Sequence, residues 1–139
     1  MPRTLGQPLQ FGRRLPAAAV AGVWLYHGLW CKLLGRCPDQ LAVVTDLPFV
    51  PRRIARLALA SLGLAEIALA LWVLSARAPG AAAASGTALL ALMNGGGLYW
   101  SRRHIARPGA LLAENAAFLA LVWWTALSDE RARTRGRAA

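Results

Sequence analysis

Five polar side chains stand inside stretches that are otherwise almost free of charge: His27, Glu66, Asn94, Glu114 and Asn115. Between Arg56 and Arg77 the only ionisable residue is Glu66, and between Arg107 and Asp129 it is Glu114. Ionisable groups in apolar surroundings are costly to hold, which makes them markers of proton, ion or ligand sites by default. Carboxylates near a histidine can share a proton. Flanked by the amides and by the indole of Trp24, they would line a pocket fit for a quinone headgroup or a proton relay. The competing reading is polar glue, in which His, Asn and Glu hydrogen-bond between helices and fix their register. Both readings stand on the sequence.

The remaining chemistry is thinner. Cys31 and Cys37 are separated by five residues, and they are the only two cysteines. Two thiols exclude an all-cysteine structural zinc site within one chain, and no metal site is expected. A disulfide is sterically open to them if they face an oxidising compartment, and such a pair could exchange electrons with a partner. Two unpaired thiols is the plainer reading. His104 lies in an Arg-rich segment and reads as solvated. The sequence has no Gly-rich phosphate loop, no nucleophile triad and no haem-type motif, and leaves open whether the chain is catalytic.

The elements that must position these groups follow from where the charges are. Apolar residues make up 57% of the chain and charged residues 16%, and the charges are clustered. Apolar runs of about 18 residues or more read as transmembrane helices, since about 20 residues cross a hydrocarbon core of ~30 Å. Four such runs predict an all-α, four-helix transmembrane bundle with helices at about 15–34, 54–76, 81–100 and 109–128. Residues 1–14 read as a flexible segment and 129–139 as a disordered basic tail. Asp39 to Val44, after Pro38, could form a short interfacial helix, and Arg77-Ala78-Pro79-Gly80 reads as a tight turn between antiparallel helices. The first run ends in Leu29-Trp30-Cys31-Lys32 without a small-x-small site, so it is expected to remain as a helix.

Trp30, Trp72, Tyr99, Trp100, Trp123 and Trp124 fall near the proposed helix ends, where amphipathic rings favour the membrane interface. Trp24 lies deep in the first run and is expected to pack inside. Lys32, near the end of that run, reads as an interface anchor snorkelling to headgroups. Small residues spaced by four (Ala18 and Gly22, Ala82 and Gly86, Ala113 and Ala117, Ala116 and Ala120) predict close helix contacts. Gly95-Gly96-Gly97 reads as a close crossing or kink, with a hinge as the alternative.

Depth counted along the helices places His27 about 7–8 Å from the Lys32 end, and Asn94 and Glu114 each about 9 Å from the same face. That common layer is the basis for expecting Trp24, His27, Glu66, Asn94, Glu114 and Asn115 to converge. Net charge is +10. It is spread over every connection and both tails, so it predicts lipid phosphates rather than nucleic acid as the partner. Four spans would divide the sixteen Lys and Arg residues eight to a side, giving no bias by the positive-inside rule. The basic N-terminal segment favours both termini in the cytoplasm of a multi-pass inner-membrane protein.

Around the first helix the chain reads Val23-Trp24-Leu25-Tyr26-His27-Gly28-Leu29-Trp30-Cys31-Lys32, then Cys37-Pro38-Asp39. This resembles the opening of the DoxX-like integral membrane family, a Trp-x-Tyr-x-Gly segment leading to a Lys and a Pro-containing loop. Gly63-Leu64-Ala65-Glu66 is similar to that family's Gly-x-x-Glu segment, and Pro108 with Asn115 resembles its last helix. Cys31 departs from the pattern. The resemblance spans about Leu15 to Leu127 and implies a four-helix membrane fold. By analogy with redox-associated members it implies an accessory subunit of a bacterial membrane redox system, quinone-linked or acting in oxidative stress. The alternatives are a non-catalytic scaffold whose Arg tail recruits a soluble oxidoreductase, and a small transporter using the glycine triplet as a hinge.

Overall fold

A computed structural model describes residues 7–138, and among them the fold is all-α. The elements are α1 (Gln7–Leu25), a π-helical segment (Tyr26–Leu33), α2 (Pro38–Thr45), α3 (Ala55–Ser75), α4 (Pro79–Trp100) and α5 (Pro108–Ala138). Short 3-10 turns at Arg52–Ile54 and Arg102–His104 lead into α3 and out of α4.

The chain is a membrane protein by the character of these helices. Arg52–Ser75 and Pro108–Arg137 are long and apolar enough to cross a bilayer, with mean hydropathy of 2.1 and 1.5. Arg14–Leu33 joins Pro38–Thr45 at a 73° bend to make a third candidate. α4 is long enough, but Asn94 and its glycines dilute its hydropathy. Leu57, Leu64, Leu71 and Leu92 point outward. A helix apolar on all faces seeks lipid as its solvent.

Inside, the core is small and specific. Val20, Ala21 and Trp24 of α1 pack on Leu69 and Ala70 of α3, Ala83 and Leu90 of α4, and Val122 and Ala126 of α5. Trp24 meets Phe118 edge-on, with ring centroids 5.3 Å apart. It also lies over Gly86, where an added Cβ would stand 3.1 Å from its ring. A second cluster, Val44, Ala55 and Leu59, holds α2 against α3. The Trp123 indole donates to Thr87 Oγ1 at 3.1 Å, tying α5 to α4.

Some expectations need correction and others are met. α1 begins at Gln7, inside the segment read as flexible, while residues 1–6 lie outside the described residues. The basic tail is helical to Ala138, because Arg and Ala are strong helix formers and extend an existing helix readily. Of the small-residue pairs, Ala82 and Gly86 are buried as expected. Ala18, Gly22, Ala113, Ala116, Ala117 and Ala120 instead face outward. Gly95-Gly96-Gly97 does not break α4. Gly97 is buried where Val43 and Ile105 approach it, a close crossing. The turn between α3 and α4 is tight, with Ala76 and Ala78 both at positive φ (52° and 43°). The Trp72 indole donates to Arg77 O across it.

Candidate functional site

The first helix changes its winding where the chemistry begins. From Tyr26 to Leu33 it is π-helical, a form that recurs at functional sites. This stretch buries Gly28, Cys31 and Lys32 against α3. Opposite them, α3 presents Gly63 and Glu66, three residues apart and therefore on one face.

The two backbones nearly touch there. A Cβ on Gly28 would stand 2.6 Å from Gly63 O and 3.0 Å from Glu66 Cβ. A Cβ on Gly63 would stand 2.7 Å from Gly28 O and 2.9 Å from Lys32 Cβ. Only bare glycines allow this approach. It brings the Lys32 ammonium to the Glu66 carboxylate, and Nζ donates to Oε1 and Oε2, both at 2.8 Å. The two side chains are each 2% exposed. Removing charge from water is expensive, and is repaid only when partners meet in good geometry. Here each charge closes on the other.

Lys32 is therefore not the interface anchor its position suggests. It turns inward to Glu66 rather than outward to headgroups, because a paired burial satisfies the ammonium where an open carboxylate waits across a glycine contact.

Beside this clasp, Cys31 and Cys37 form a disulfide with Cα atoms 4.7 Å apart. Gly35, at φ +64°, makes the reversal, and Cys37 is the N-cap of α2 with Pro38 at its first position. Cys31 is buried and Cys37 half-buried. The Arg36 guanidinium lies over Trp30, 5.5 Å from the ring centroid. The Arg56 guanidinium approaches Gly35, with Nη2 3.6 Å from where a Cβ there would stand.

At the same end, α2 is fastened to the loop after α4. Arg103 donates from Nε and Nη2 to the two Asp46 carboxylate oxygens at 2.8 and 2.6 Å. His104 Nε2 lies 2.8 Å from Asp46 Oδ2, so His104 is not simply solvated. The Arg103 hydrogen bonds hold the Asp46 carboxyl below the usual carboxylate range, with His104 adding to the effect and partial desolvation opposing it. Ser101 is fully buried and donates to Val43 O at 2.8 Å.

The other expected site residues are dispersed. Trp24 is in the core one turn below Gly28. His27 is half-buried, edge-on to Tyr26 at 5.4 Å. Asn94 is half-buried on α4, and Glu114 is exposed on the outer face of α5. Asn115 is half-buried, with Nδ2 enclosed and without a hydrogen-bond partner among the described residues. Glu66 thus meets Lys32 rather than Glu114. A small pocket of about 20 Å³, room for little more than a water, lies at the end of the bundle near the α3–α4 turn, lined by Val20, Trp72, Val73, Pro79, Val122 and Thr125 among others. Trp24, His27 and Glu66 are not among its lining residues.

Sequence reasoning missed the Lys32–Glu66 pairing. A signal was present in the spacing Trp24–Gly28–Lys32, matched by Gly63 and Glu66 on the next long helix. A family model described as the DoxX-like family matches residues 21–123, which include the clasp, the disulfide and Asp46. No curated protein and no solved structure matches the chain.

Proposed function

Because the chain belongs to the DoxX-like family, we propose that it is a four-span accessory subunit of a membrane redox system. In this reading it is not itself the catalyst. The observation that carries the reading is the closure of the Lys32–Glu66 clasp, 2% exposed on each side chain. An ion pair satisfied by itself sets the register of two helices. While closed it neither seats a quinone ring nor passes a proton. The clasp thus serves as the polar glue of the bundle and leaves partner recognition to the ends.

The ends differ in character. The Cys31–Cys37 disulfide lies at the end away from both tails, and disulfides persist on the oxidising side of a membrane. This supports our reading that the α2 end lies outside and both termini lie in the cytoplasm, a direction that the balance of basic residues does not give. α5 is 31 residues long. At 1.5 Å per residue it spans roughly 46 Å against a hydrocarbon core of ~30 Å, so its last turns stand clear of the bilayer. They carry Arg131, Arg133, Arg135 and Arg137, all exposed. This favours recruitment of an acidic soluble oxidoreductase on the cytoplasmic side.

The test is complementation of cells lacking the gene, under redox stress, with the apolar replacement Lys32→Met/Glu66→Met. The proposal expects a folded, membrane-inserted variant that restores tolerance. A folded, inserted variant that fails to restore it would mean that the pair itself performs the chemistry.

A further inference from the structure

We propose that the Cys31–Cys37 disulfide is a thiol–disulfide exchange site, with Cys37 as the exchanging sulfur and Cys31 as the buried resolving one. The inference deepens the accessory reading by naming the class of group such a subunit would act on, a dithiol or low-molecular-weight thiol. It does not depend on which partner α5 recruits.

Three independent features of the site carry it. The first is asymmetry of access. Cys31 is 1% exposed, packed into the helix contact beside Lys32, whereas Cys37 is half-buried at the start of α2. An incoming thiolate therefore reaches Cys37 Sγ first. The second is the position of Cys37 as N-cap of an eight-residue helix with Pro38 at its first position. The Cys37 side chain makes no capping hydrogen bond in the disulfide form, but the dipole at the start of α2 favours negative charge there, which stabilises Cys37 as a thiolate and as a leaving group. The third is the local charge. The Arg56 guanidinium reaches the turn at Gly35, the Arg36 guanidinium is held over Trp30 at the same end, and the two outnumber the single carboxylate of Asp39 in the first turn of α2. Cations near a cysteine lower its thiol pKa and draw in an anionic thiolate.

The exchange balances as follows. A thiolate of the incoming dithiol attacks Cys37 Sγ, the Sγ–Sγ bond breaks, and Cys31 leaves and takes up a proton. The second thiol of the incoming molecule, having lost its proton, attacks its own sulfur in the mixed disulfide, and Cys37 departs as a thiolate. The incoming dithiol is oxidised by two electrons, and the Cys31–Cys37 pair is reduced by two. With a monothiol such as glutathione the second attack comes from another molecule. Reduction frees the start of α2 from the end of the π-helical segment, next to the Lys32–Glu66 clasp.

The experiment uses the full-length protein in nanodiscs, with glutathione as the probe and mass spectrometry of peptides and intact chain as the readout. Cys31→Ser and Cys37→Ser are compared with oxidised glutathione, after tryptophan fluorescence has shown both to be folded. The proposal expects Cys37 in Cys31→Ser to be glutathionylated about tenfold or more faster than Cys31 in Cys37→Ser. The unsubstituted protein under reduced glutathione should open its disulfide while still folded, with any mixed disulfide on Cys37. Equal rates in the two variants, adducts on Cys31, or a disulfide that opens only on denaturation would overturn it. Because this assay reads sulfur chemistry alone, its failure leaves the complementation result above intact, and the converse holds.

Discussion

Replacing Gly63 by alanine should unseat the clasp without removing either of its charges. The new Cβ would stand 2.7 Å from Gly28 O and 2.9 Å from Lys32 Cβ, both on or next to backbone. Neither can rotate away. Ordinary contact for such atoms is about 3.4–4 Å, so α3 and the π-helical segment must part by roughly 0.7 Å or more. Overpacking of this kind costs about 1–3 kcal/mol. A shift of that size also stretches Nζ···Oε from 2.8 Å to the edge of hydrogen-bonding range, so part of the pair's contribution is lost as well. We expect a total near 3 kcal/mol. At roughly 3–4 °C per kcal/mol for a chain of this size, the thermal midpoint should fall by about 10 °C. Tryptophan fluorescence in detergent during a thermal ramp measures it. Gly22→Ala and Gly95→Ala are the controls, since a Cβ at either meets nothing within 4 Å. They should match the parent or gain up to about 1 kcal/mol from helix propensity. A Gly63→Ala midpoint within about 2 °C of these controls would refute the close-contact account.

Two further outcomes follow from the α2 end. Asp46 has its pKa lowered in the folded protein, so its contribution to stability is complete above the unfolded value of about 3.9 and fades as pH falls through the lower folded value. The parent should therefore lose stability below about pH 4 more steeply than Asp46→Asn, whose curve should lie lower at neutral pH and run flatter under acid, as read by denaturation at graded pH. Replacing both cysteines by alanine removes a short cross-link spanning a sequence separation of 6. Loop-closure entropy sets the loss at about 2 kcal/mol, and a fall in midpoint that the parent reproduces under strong reductant would check it.

Much of this fold is legible from charge placement alone. The gaps between arginine clusters mark the helices, and Pro79 and Pro108 each open one. Trp24 in the core and the short helix after Pro38 also follow from local sequence. The Lys32–Glu66 pair does not, because its partners are 34 residues apart and the matched Gly28–Lys32 and Gly63–Glu66 spacings mark a shared face on each helix without saying that the two faces meet. Counting depth at 1.5 Å per residue assumes α winding and a lysine that snorkels, and the π-helical segment violates both assumptions. The same applies to His104, whose carboxylate partner lies 58 residues away. Ala-rich composition scatters small pairs over every face, so spacing by four cannot separate Ala82 and Gly86, which are buried, from Ala113 and Ala117, which face lipid. The helical tail carries no apolar period, because its helicity comes from propagation out of α5 rather than from packing.

A double-mutant cycle on Lys32→Met and Glu66→Met, read by equilibrium unfolding in a single detergent, addresses the clasp itself. Each single change strands a buried charge and should cost about 3–5 kcal/mol, while the double change strands none and should cost far less than their sum. A coupling energy of several kcal/mol is the predicted result. Additive losses, with coupling near zero, would contradict the claim that these two side chains meet inside the membrane.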